Sequence, residues 1–448
     1  MGRLGKSRAL AVWMNGELVG EWRLPTRGGQ EFLYADSWLS SAAARPISLS
    51  FPLLPSRDPY RAGVEAYFDN LLPDNRQIRE RIQRRFHIGS IAAFDLLQEI
   101  GRDCVGALQL LPKGAEAPDV RRITGEPLTA NGVARLLTAS LGTVFGQEAG
   151  GDDEAFRISL AGAQEKTALL WHKGAWHRPT GATPTTHILK LPIGVGPQGI
   201  DLSTSVENEW LCAQIVREYG IPVAPCRIET FGEHKTLVVE RFDRRLAADG
   251  AWWLRLPQED FCQATGTPPA LKYENDGGPG IRAIMDLLLG AQNPAEDRLD
   301  FMRTQVVFWL LAAIDGHAKN FSVFLLPAGG YQLTPRYDIL SAYPMLGHGR
   351  GKLSPQKVKM AMAVEGKNRR YLWDGIHARH WIETARRCGI ADLETIIADI
   401  VSRTPAVIDR VQAAIPKGFP AAIAESILDG VRGSSGRLRT ELSERTKN

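Results

Sequence analysis

Cysteine is scarce in this sequence, and its placement excludes two classes of protein. The 448 residues contain five cysteines, an odd number, and no two of them are spaced as C-x-x-C. A disulfide framework needs paired cysteines and a structural zinc site needs closely spaced ones, so neither is expected. This usage is typical of a reducing compartment, and we predict a cytoplasmic location.

Long apolar runs are missing as well. The longest candidate, residues 306–314, is much shorter than the ~20 residues that cross a bilayer, and it predicts a buried helix instead. The first twenty residues carry early charges and an Asn-Gly turn but no apolar stretch of the kind found in a signal peptide. The sequence therefore predicts no membrane partner.

Charge of one sign is not in large excess either, since the net charge is only +4. With 44% hydrophobic and 23% charged residues, the composition is that of an ordinary globular protein. Strand-like segments dominate up to about residue 243, and helical patterns follow. We predict an α+β fold with boundaries in the polar stretch after residue 113 and after the hairpin that ends near 243, which gives regions 1–113, 114–243 and 244–448.

One segment, residues 308–340, carries the strongest chemical signal. An apolar helix leads into Asp315-Gly-His-Ala-Lys-Asn320, then a strand, a Gly-Gly turn and a second strand that ends at Asp338. Phosphoryl transfer from ATP needs a proton acceptor and oxygen ligands for Mg²⁺, and the order Asp, Asn at +5, hairpin, Asp supplies both. Asp315 alone could equally be a residue of a helix-terminal turn. The complete block is harder to explain in that way, because unpaired polar groups next to apolar segments are costly to bury.

A second signal is Lys190, which lies within the apolar strand THILKLP. A cation is needed against the α- and β-phosphates of ATP, and a buried lysine also needs a carboxylate partner. The next helix offers Glu207 and Glu209, which face different sides because they are two positions apart. The apolar neighbours of Glu209 favour it as the inward residue. On its own, Lys190 could be a surface lysine at a strand end.

Two further segments are weaker candidates. SLAGAQEK, residues 159–166, contains Gly162 as its only glycine and matches no standard phosphate loop, yet it lies between two strands upstream of Lys190, where a kinase has its phosphate lid. Within it, Lys166 could be a phosphate contact or a surface lysine, and Ser159 could be an ordinary serine at a strand end. The segment with Glu240 and Phe242 could be a linker that binds adenine through its backbone, or an ion-paired turn between domains.

With these residues in view, the chain resembles the HipA family, the toxin kinases of type II toxin–antitoxin pairs. The resemblance extends over nearly the whole length, and it is carried in the N-terminal part by YFDNLLPDNRQIRERI (67–82) and FDLLQEIGRDCVGALQLLP (94–112). In the remainder it is carried by FRISLAGAQEKTALL (156–170), THILKLPIG (186–194), VERFDRR (239–245), LRLPQEDFCQ (254–263), KYENDGGPGI (272–281), DGHAKNFSVF (315–324) and YDILSAYP (337–344).

The resemblance implies a two-lobed kinase-like fold, closer to phosphoinositide kinases, with a β-rich N-terminal lobe and a mainly helical C-terminal lobe. His317, which stands where protein kinases usually have lysine, is consistent with this. The cofactors implied are ATP and Mg²⁺. Asp315 would be the catalytic base, and Asn320 and Asp338 would bind the metal. The residues implied at the nucleotide are Lys190, Glu209, Ser159, Ala161, Gly162, Lys166, Glu240, Phe242 and His317, with Asn320 and Asp338.

The family also implies partners and regulation. Ser159 would be a self-phosphorylation site whose modification displaces the lid and inactivates the enzyme. The family's substrate is glutamyl-tRNA synthetase, whose phosphorylation halts translation and leads to growth arrest and persistence. Its partner is HipB, a helix-turn-helix antitoxin, and the complex binds operator DNA. Residues 349–370, with seven basic residues and one acid, could contact phosphates or be a solvated loop and helix face.

Two other functions fit parts of the sequence. A non-catalytic DNA-bound co-repressor that retained the fold would have no need for a complete catalytic set. A lipid or small-molecule kinase is suggested by the D-x-H-x-x-N pattern alone.

Overall fold

The N-terminal region is a sheet backed by short helices. The computed structural model describes residues 7–54, 56–140, 164, 166–196 and 199–446. The region's elements are β1 (Arg8–Met14), β2 (Glu17–Leu24), β3 (Glu31–Tyr34), α1 (Asp36–Leu39), α2 (Val64–Asp69), α3 (Arg76–Arg85), α4 (Ala93–Ile100) and β4 (Leu108–Pro112). The strands are antiparallel in the order β3-β2-β1-β4. Asn15 and Gly16 join β1 to β2 with φ of 49° and 88°, the type I′ conformation that the sequence predicts.

The second region contains a larger antiparallel sheet. Its elements are β5 (Gly125–Leu128), α5 (Ala130–Ser140), β6 (Lys166–His172), β7 (Ala175–Pro179), β8 (His187–Lys190), β9 (Gly194–Val195), β10 (Asp201–Leu202), α6 (Ser205–Glu218), β11 (Cys226–Phe231) and β12 (His234–Glu240). Within the described residues, six of these strands form one sheet in the order β11-β12-β8-β6-β7-β5. In its register Lys166 lies directly opposite Lys190. Cross-strand partners project from the same face, so the two lysines point the same way.

The third region is mainly helical. Its strands are β13 (Arg244–Leu246), β14 (Trp253–Arg255), β15 (Gln258–Asp260), β16 (Ser322–Leu325), β17 (Tyr331–Leu333), β18 (Lys359–Glu365) and β19 (Arg369–Leu372). Its helices are α7 (Phe261–Ala264), α8 (Ile281–Leu287), α9 (Pro294–Leu310), α10 (Ala378–Arg387), α11 (Leu393–Ala414) and α12 (Ala421–Thr446). Val306 to Leu310 of α9 are all buried in the main core, as the apolar run predicts.

Two details of this region bear on the sequence predictions. The basic segment 349–370 consists of a loop and the β18–β19 hairpin, so the expectation of a helix face there is wrong. The apolar residues of KMAMAVE are buried as strand residues. None of the helices among the described residues combines the length and the apolar character that crossing a bilayer would require.

A buried cluster of charged residues joins the N-terminal region to the rest of the chain, and we call it the junction cluster. It consists of Asp103, Arg241, Asp243, Arg244 and Arg255, all at most 6% exposed. Asp103 accepts hydrogen bonds from Arg244 at 2.9 Å and from Arg241 and Arg255 at 3.3 Å. Arg241 also donates to Asp243 at 2.8 and 2.9 Å. Burial of so many charges is sustainable only because nearly every charge has a partner.

The fold class predicted from the sequence is confirmed. A sheet-rich first part precedes a helical C-terminal part, which gives an α+β architecture. The predicted boundaries after residues 113 and 243 remain proposals, although each lies at a change of sheet: β4 ends the first sheet at Pro112, and β12 ends the second at Glu240. The space between the large sheet and the helical region is where the candidate site lies.

Candidate active site

The loop that follows α9 is closed on itself by hydrogen bonds. The backbone carbonyl of Asp315 accepts from the amide of His317 at 2.8 Å and from Nδ2 of Asn320 at 2.7 Å. The amide of Asn320 donates to the carbonyl of His317 at 2.9 Å. Asn320 is buried, while Asp315 is exposed. Because the nitrogen of the Asn320 amide is engaged with the loop, its oxygen is the atom left for another ligand.

Tyr273 contacts this loop from outside it. Its hydroxyl donates to Oδ1 of Asp315 at 2.5 Å, and its ring meets His317 edge-on, with centroids 5.1 Å apart. Burial and the neighbouring Asp315 raise the pKa of Tyr273, so the hydroxyl keeps its proton and is the donor at neutral pH. Sequence reasoning missed Tyr273, whose only signal was its membership of the KYENDGGPGI segment.

The hairpin of β16 and β17 returns the chain so that Asp338 reaches the same place. Asp338 has φ of 58°, a left-handed conformation that is uncommon for a residue other than glycine. Its Oδ1 accepts from Nζ of Lys190 at 2.9 Å, and Lys190 also donates to Oε1 of Glu209 at 2.6 Å. Glu207 points elsewhere and accepts from Lys235 at 2.5 Å. The structure thus confirms that Glu209, not Glu207, pairs with Lys190.

The protonation states of this pair follow from competition between burial and charge. Burial alone would lower the pKa of Lys190, but the carboxylates of Asp338 and Glu209 outweigh it and raise the pKa. Burial alone would raise the pKa of Asp338, but Lys190 and Lys166 outweigh it and hold the pKa below its usual range. Lys190 and Asp338 are therefore both charged at neutral pH.

Lys166 is a cation without an ion-pair partner in the part of the chain that the structure describes. Burial and the charge of Lys190 opposite lower its pKa to about 8, although Asp338 partly offsets them. Like charges directly opposite one another across two strands are destabilising. Lys190 already has Glu209 and Asp338 as partners, so an anionic ligand is favoured beside Lys166.

These side chains surround one cavity of about 280 Å³. Its polar wall comes from the β6–β8 face and the Asp315 loop, and apolar residues such as Ile188, Val239 and Ile339 form another part. The described residues that the sequence predicts at the nucleotide or as the catalytic base all line it: Lys166, Lys190, Glu209, Glu240, Phe242, Asp315, His317, Asn320 and Asp338. Ser159, Ala161 and Gly162 of the predicted lid lie outside the described residues.

The donor set fits a magnesium ion held together with phosphates. The described residues contain no group of three or more His, Cys, Asp or Glu side chains that could hold a metal by themselves. Asn320 and Asp338 offer an amide and a carboxylate oxygen in the same cavity. Mg²⁺ in phosphoryl-transfer enzymes takes one or two protein oxygens and completes its shell with phosphates and water, so a partial protein shell is the expected one.

Burial leaves the imidazole of His317 neutral. Burial lowers its pKa despite the nearby Asp315, and its Nδ1 is buried without a hydrogen-bond partner among the described residues. A buried ring nitrogen without a partner is rare and commonly marks a site that a ligand or water completes. Because His317 lines the cavity, the ring nitrogen without a hydrogen-bond partner belongs to a residue of the cavity wall.

Comparison with known proteins matches both halves of the chain to one family. The family model "HipA N-terminal domain" matches residues 10–111, and "HipA-like C-terminal domain" matches residues 158–408. The chain is 34% identical over 392 residues to the Sinorhizobium fredii protein named "Putative kinase Y4mE", covering 86% of each. It is 29% identical over 319 residues to the serine/threonine-protein kinase toxin HipA of Shewanella oneidensis, covering 69% of each.

A solved structure shares the fold over nearly the whole chain. It is a complex of the Shewanella oneidensis toxin–antitoxin proteins HipA and HipB with operator DNA, and its matching chain superposes with a TM-score of 0.79. The alignment covers 98% of this chain and 99% of that one at 23% identity. At this identity the match shows a common architecture only.

Proposed function

The chain belongs to the HipA family, and from that premise we propose that it is an ATP- and Mg²⁺-dependent serine/threonine protein kinase and the toxin of a toxin–antitoxin pair. The observation that carries this proposal is the convergence of Lys190, Asp315, Asn320 and Asp338 on one cavity. Phosphoryl transfer depends mainly on position and charge, and this cavity supplies a base, oxygen ligands and phosphate-binding cations together.

In this proposal the lysines hold the nucleotide. Lys190 contacts the α- and β-phosphates, and Glu209 fixes its direction through the 2.6 Å hydrogen bond. Lys166 takes a second position on the phosphates, because it lies opposite Lys190 and has no carboxylate partner among the described residues. Phosphate charge would also reduce the repulsion between the two lysines.

The transfer itself uses the Asp315 loop. The substrate hydroxyl oxygen attacks the γ-phosphorus, the bond from that phosphorus to the β–γ bridging oxygen breaks, and the hydroxyl proton passes to the carboxylate of Asp315. Asp315 is exposed at the edge of the cavity, which lets the side chain of a protein substrate reach it. Asn320 and Asp338 would hold Mg²⁺, which when bound neutralises charge on the β- and γ-phosphates.

Adenine would lie against the apolar wall, near the segment that contains Glu240 and Phe242. The backbone amides of Glu240 and Arg241 already donate to the carbonyls of Pro225 and Thr186 at 2.8 and 2.9 Å. The base would therefore bond other backbone groups of that segment, including those of Phe242. This assignment is supported by the position of Glu240 and Phe242 in the lining of the cavity.

We extend the proposal to partners and regulation. The partners are a HipB-type helix-turn-helix antitoxin and, through it, operator DNA, which the composition of the Shewanella oneidensis complex supports. The substrate would be glutamyl-tRNA synthetase, and self-phosphorylation of Ser159 would inactivate the enzyme because about −2 of charge in a phosphate lid repels ATP. The basic segment 349–370 would be the first surface to probe for DNA contact.

A radiolabel assay tests the kinase proposal. The purified chain is incubated with Mg²⁺ and γ-labelled ATP, alone, with glutamyl-tRNA synthetase and with phosphoinositides, and label is followed on protein and on lipid. Label should appear on the chain and on the synthetase, it should vanish with EDTA, and Ser159→Ala should remove it from the chain. No label on any protein would refute the kinase, and label on lipids instead would favour the lipid-kinase alternative.

A further inference from the structure

A carboxylate from the N-terminal region lines the cavity of the candidate site. Asp74 lies in the turn between α2 and α3. Its Oδ1 accepts from Nζ of Lys319 at 2.5 Å, and its Oδ2 accepts from Nζ of Lys272 at 2.9 Å. The side chains of Lys319, Asp74 and Lys272 are 3%, 14% and 16% exposed, so all three charges are largely removed from water.

The two lysines belong to the segments that frame the catalytic base. Lys319 is the residue before Asn320 in the loop that begins with Asp315, and Lys272 precedes Tyr273, whose hydroxyl bonds Asp315. The same segments also meet through the amide of Ala318, which donates to the carbonyl of Lys272 at 3.3 Å. The Asp74 carboxylate is thus the common anchor of both segments.

Other contacts hold Asp74 at this position. Upstream in the same stretch, Asn70 donates to the carbonyl of Thr267 at 2.9 Å, and the carbonyl of Tyr67 accepts from Gln263 at 3.2 Å. Asn70, Leu71 and Asp74 all line the cavity. The N-terminal region is therefore part of the wall of the site, although it lies outside the kinase half of the sequence.

We propose that Asp74 is a positioning residue for the phosphoryl transfer. Its ion pairs with Lys319 and Lys272 hold the two segments in place, so that Asp315 and Asn320 keep their positions relative to each other. The inference rests on the proposed kinase function for its catalytic consequence. A buried ammonium group that loses its carboxylate must find water or another partner. Without Asp74, Lys319 would be drawn out of the loop, and the loop would lose its fixed geometry even though its own residues are unchanged.

The test compares two neighbouring aspartates. Asp74→Asn removes the anchor. Asp69→Asn, five residues earlier, removes a partly buried ion pair inside the N-terminal region, where Asp69 accepts from Arg79 of α3 at 2.6 Å. The full-length variants are compared by steady-state kinetics, by calorimetric ATP binding and by hydrogen exchange of the peptide that contains residues 315–321.

Asp74→Asn should lower kcat about 10- to 100-fold, the loss of roughly one or two factors of ten that a displaced base entails. The KM for ATP and the ATP affinity should change less than about threefold. Exchange of the 315–321 amides should accelerate in Asp74→Asn only. Asp69→Asn should match the wild type in all three measurements.

A double variant separates positioning from simple stability. Lys319→Met added to Asp74→Asn removes the more deeply buried of the two stranded ammonium groups, so part of the melting temperature lost in the single variant should return. The low kcat should persist, because the loop still lacks its anchor. Recovery of kcat together with melting temperature, or unchanged exchange of 315–321 in Asp74→Asn, would overturn the proposal. Absence of transfer by the wild type would instead refute the kinase function, and the exchange result would still decide the role of Asp74.

Discussion

Substitution of Glu209 by glutamine tests the arrangement around Lys190 most directly. In the structure Lys190 is shared between Glu209 at 2.6 Å and Asp338 at 2.9 Å. Without the charge of Glu209, the ammonium group is attracted by Asp338 alone, and it neutralises the carboxylate that we assign to the metal. Both the phosphate contact and the metal ligand should therefore weaken together.

The size of the effect follows from the type of bond that is lost. A buried hydrogen bond between charged groups contributes about 1.5–3 kcal/mol, and every ~1.4 kcal/mol corresponds to a factor of ten in rate. Glutamine retains an acceptor oxygen, so the lower part of this range applies. We expect Glu209→Gln to lower kcat/KM for ATP about 10- to 40-fold in a radiolabel transfer assay.

Glu207→Gln is the matched control. Glu207 is on the same helix, is equally buried and also pairs with a lysine. Its partner Lys235 has a side chain that is 46% exposed, so water can replace the lost carboxylate, and the change in kcat/KM should stay within about threefold. Equal losses in the two variants, or a larger loss in Glu207→Gln, would refute the assignment of Glu209 to the site.

Three further predictions concern the base and the phosphate contacts. Asp315→Asn should lower kcat about 10²- to 10⁴-fold while calorimetric ATP affinity stays within about threefold; lost affinity with surviving turnover would contradict its role. Tyr273→Phe removes the donor to Asp315 and should lower kcat about tenfold at unchanged ATP affinity, so an unaltered kcat in steady-state assays would exclude a positioning role. The pKa of Lys166 is lowered to about 8, so this lysine loses its charge as pH rises through that value. ATP affinity measured from pH 7 to 9.5 should therefore fall by up to about tenfold per pH unit above pH 8. Lys166→Arg should flatten this dependence, and a wild-type profile that is already flat would show that Lys166 does not contact the phosphates.

The parts of the site that are local in sequence were predictable. Asp315, Asn320 and Asp338 lie within one short stretch, and a loop followed by a hairpin has few ways to arrange them. Glu209 was distinguishable from Glu207 because helical periodicity assigns the two residues to different faces. The Asn15-Gly16 turn was also predictable from local sequence, because a type I′ turn needs positive φ at both central residues and Asn-Gly favours it.

The contacts between distant segments were not predictable. Asp74 meets Lys319, 245 positions away, and Tyr273 meets Asp315, 42 positions away. Nothing in the spacing of single residues reports such pairs, because tertiary packing creates them. The end of α9 also differs from the prediction: the apolar pattern extends to Ile314, but the helix stops at Leu310. Ala312 then adopts φ of 47°, a turn that no glycine signals.

The junction cluster has a consequence for how the molecule can come apart. Asp103 belongs to the first region, whereas Arg241, Arg244 and Arg255 belong to the rest of the chain. If the first region unfolded alone, three guanidinium groups would lose the counter-charge that they share. The two family regions should accordingly melt in a single cooperative step. Replacement of either family region by an unrelated domain would also require a new set of partners for the charges of the junction cluster.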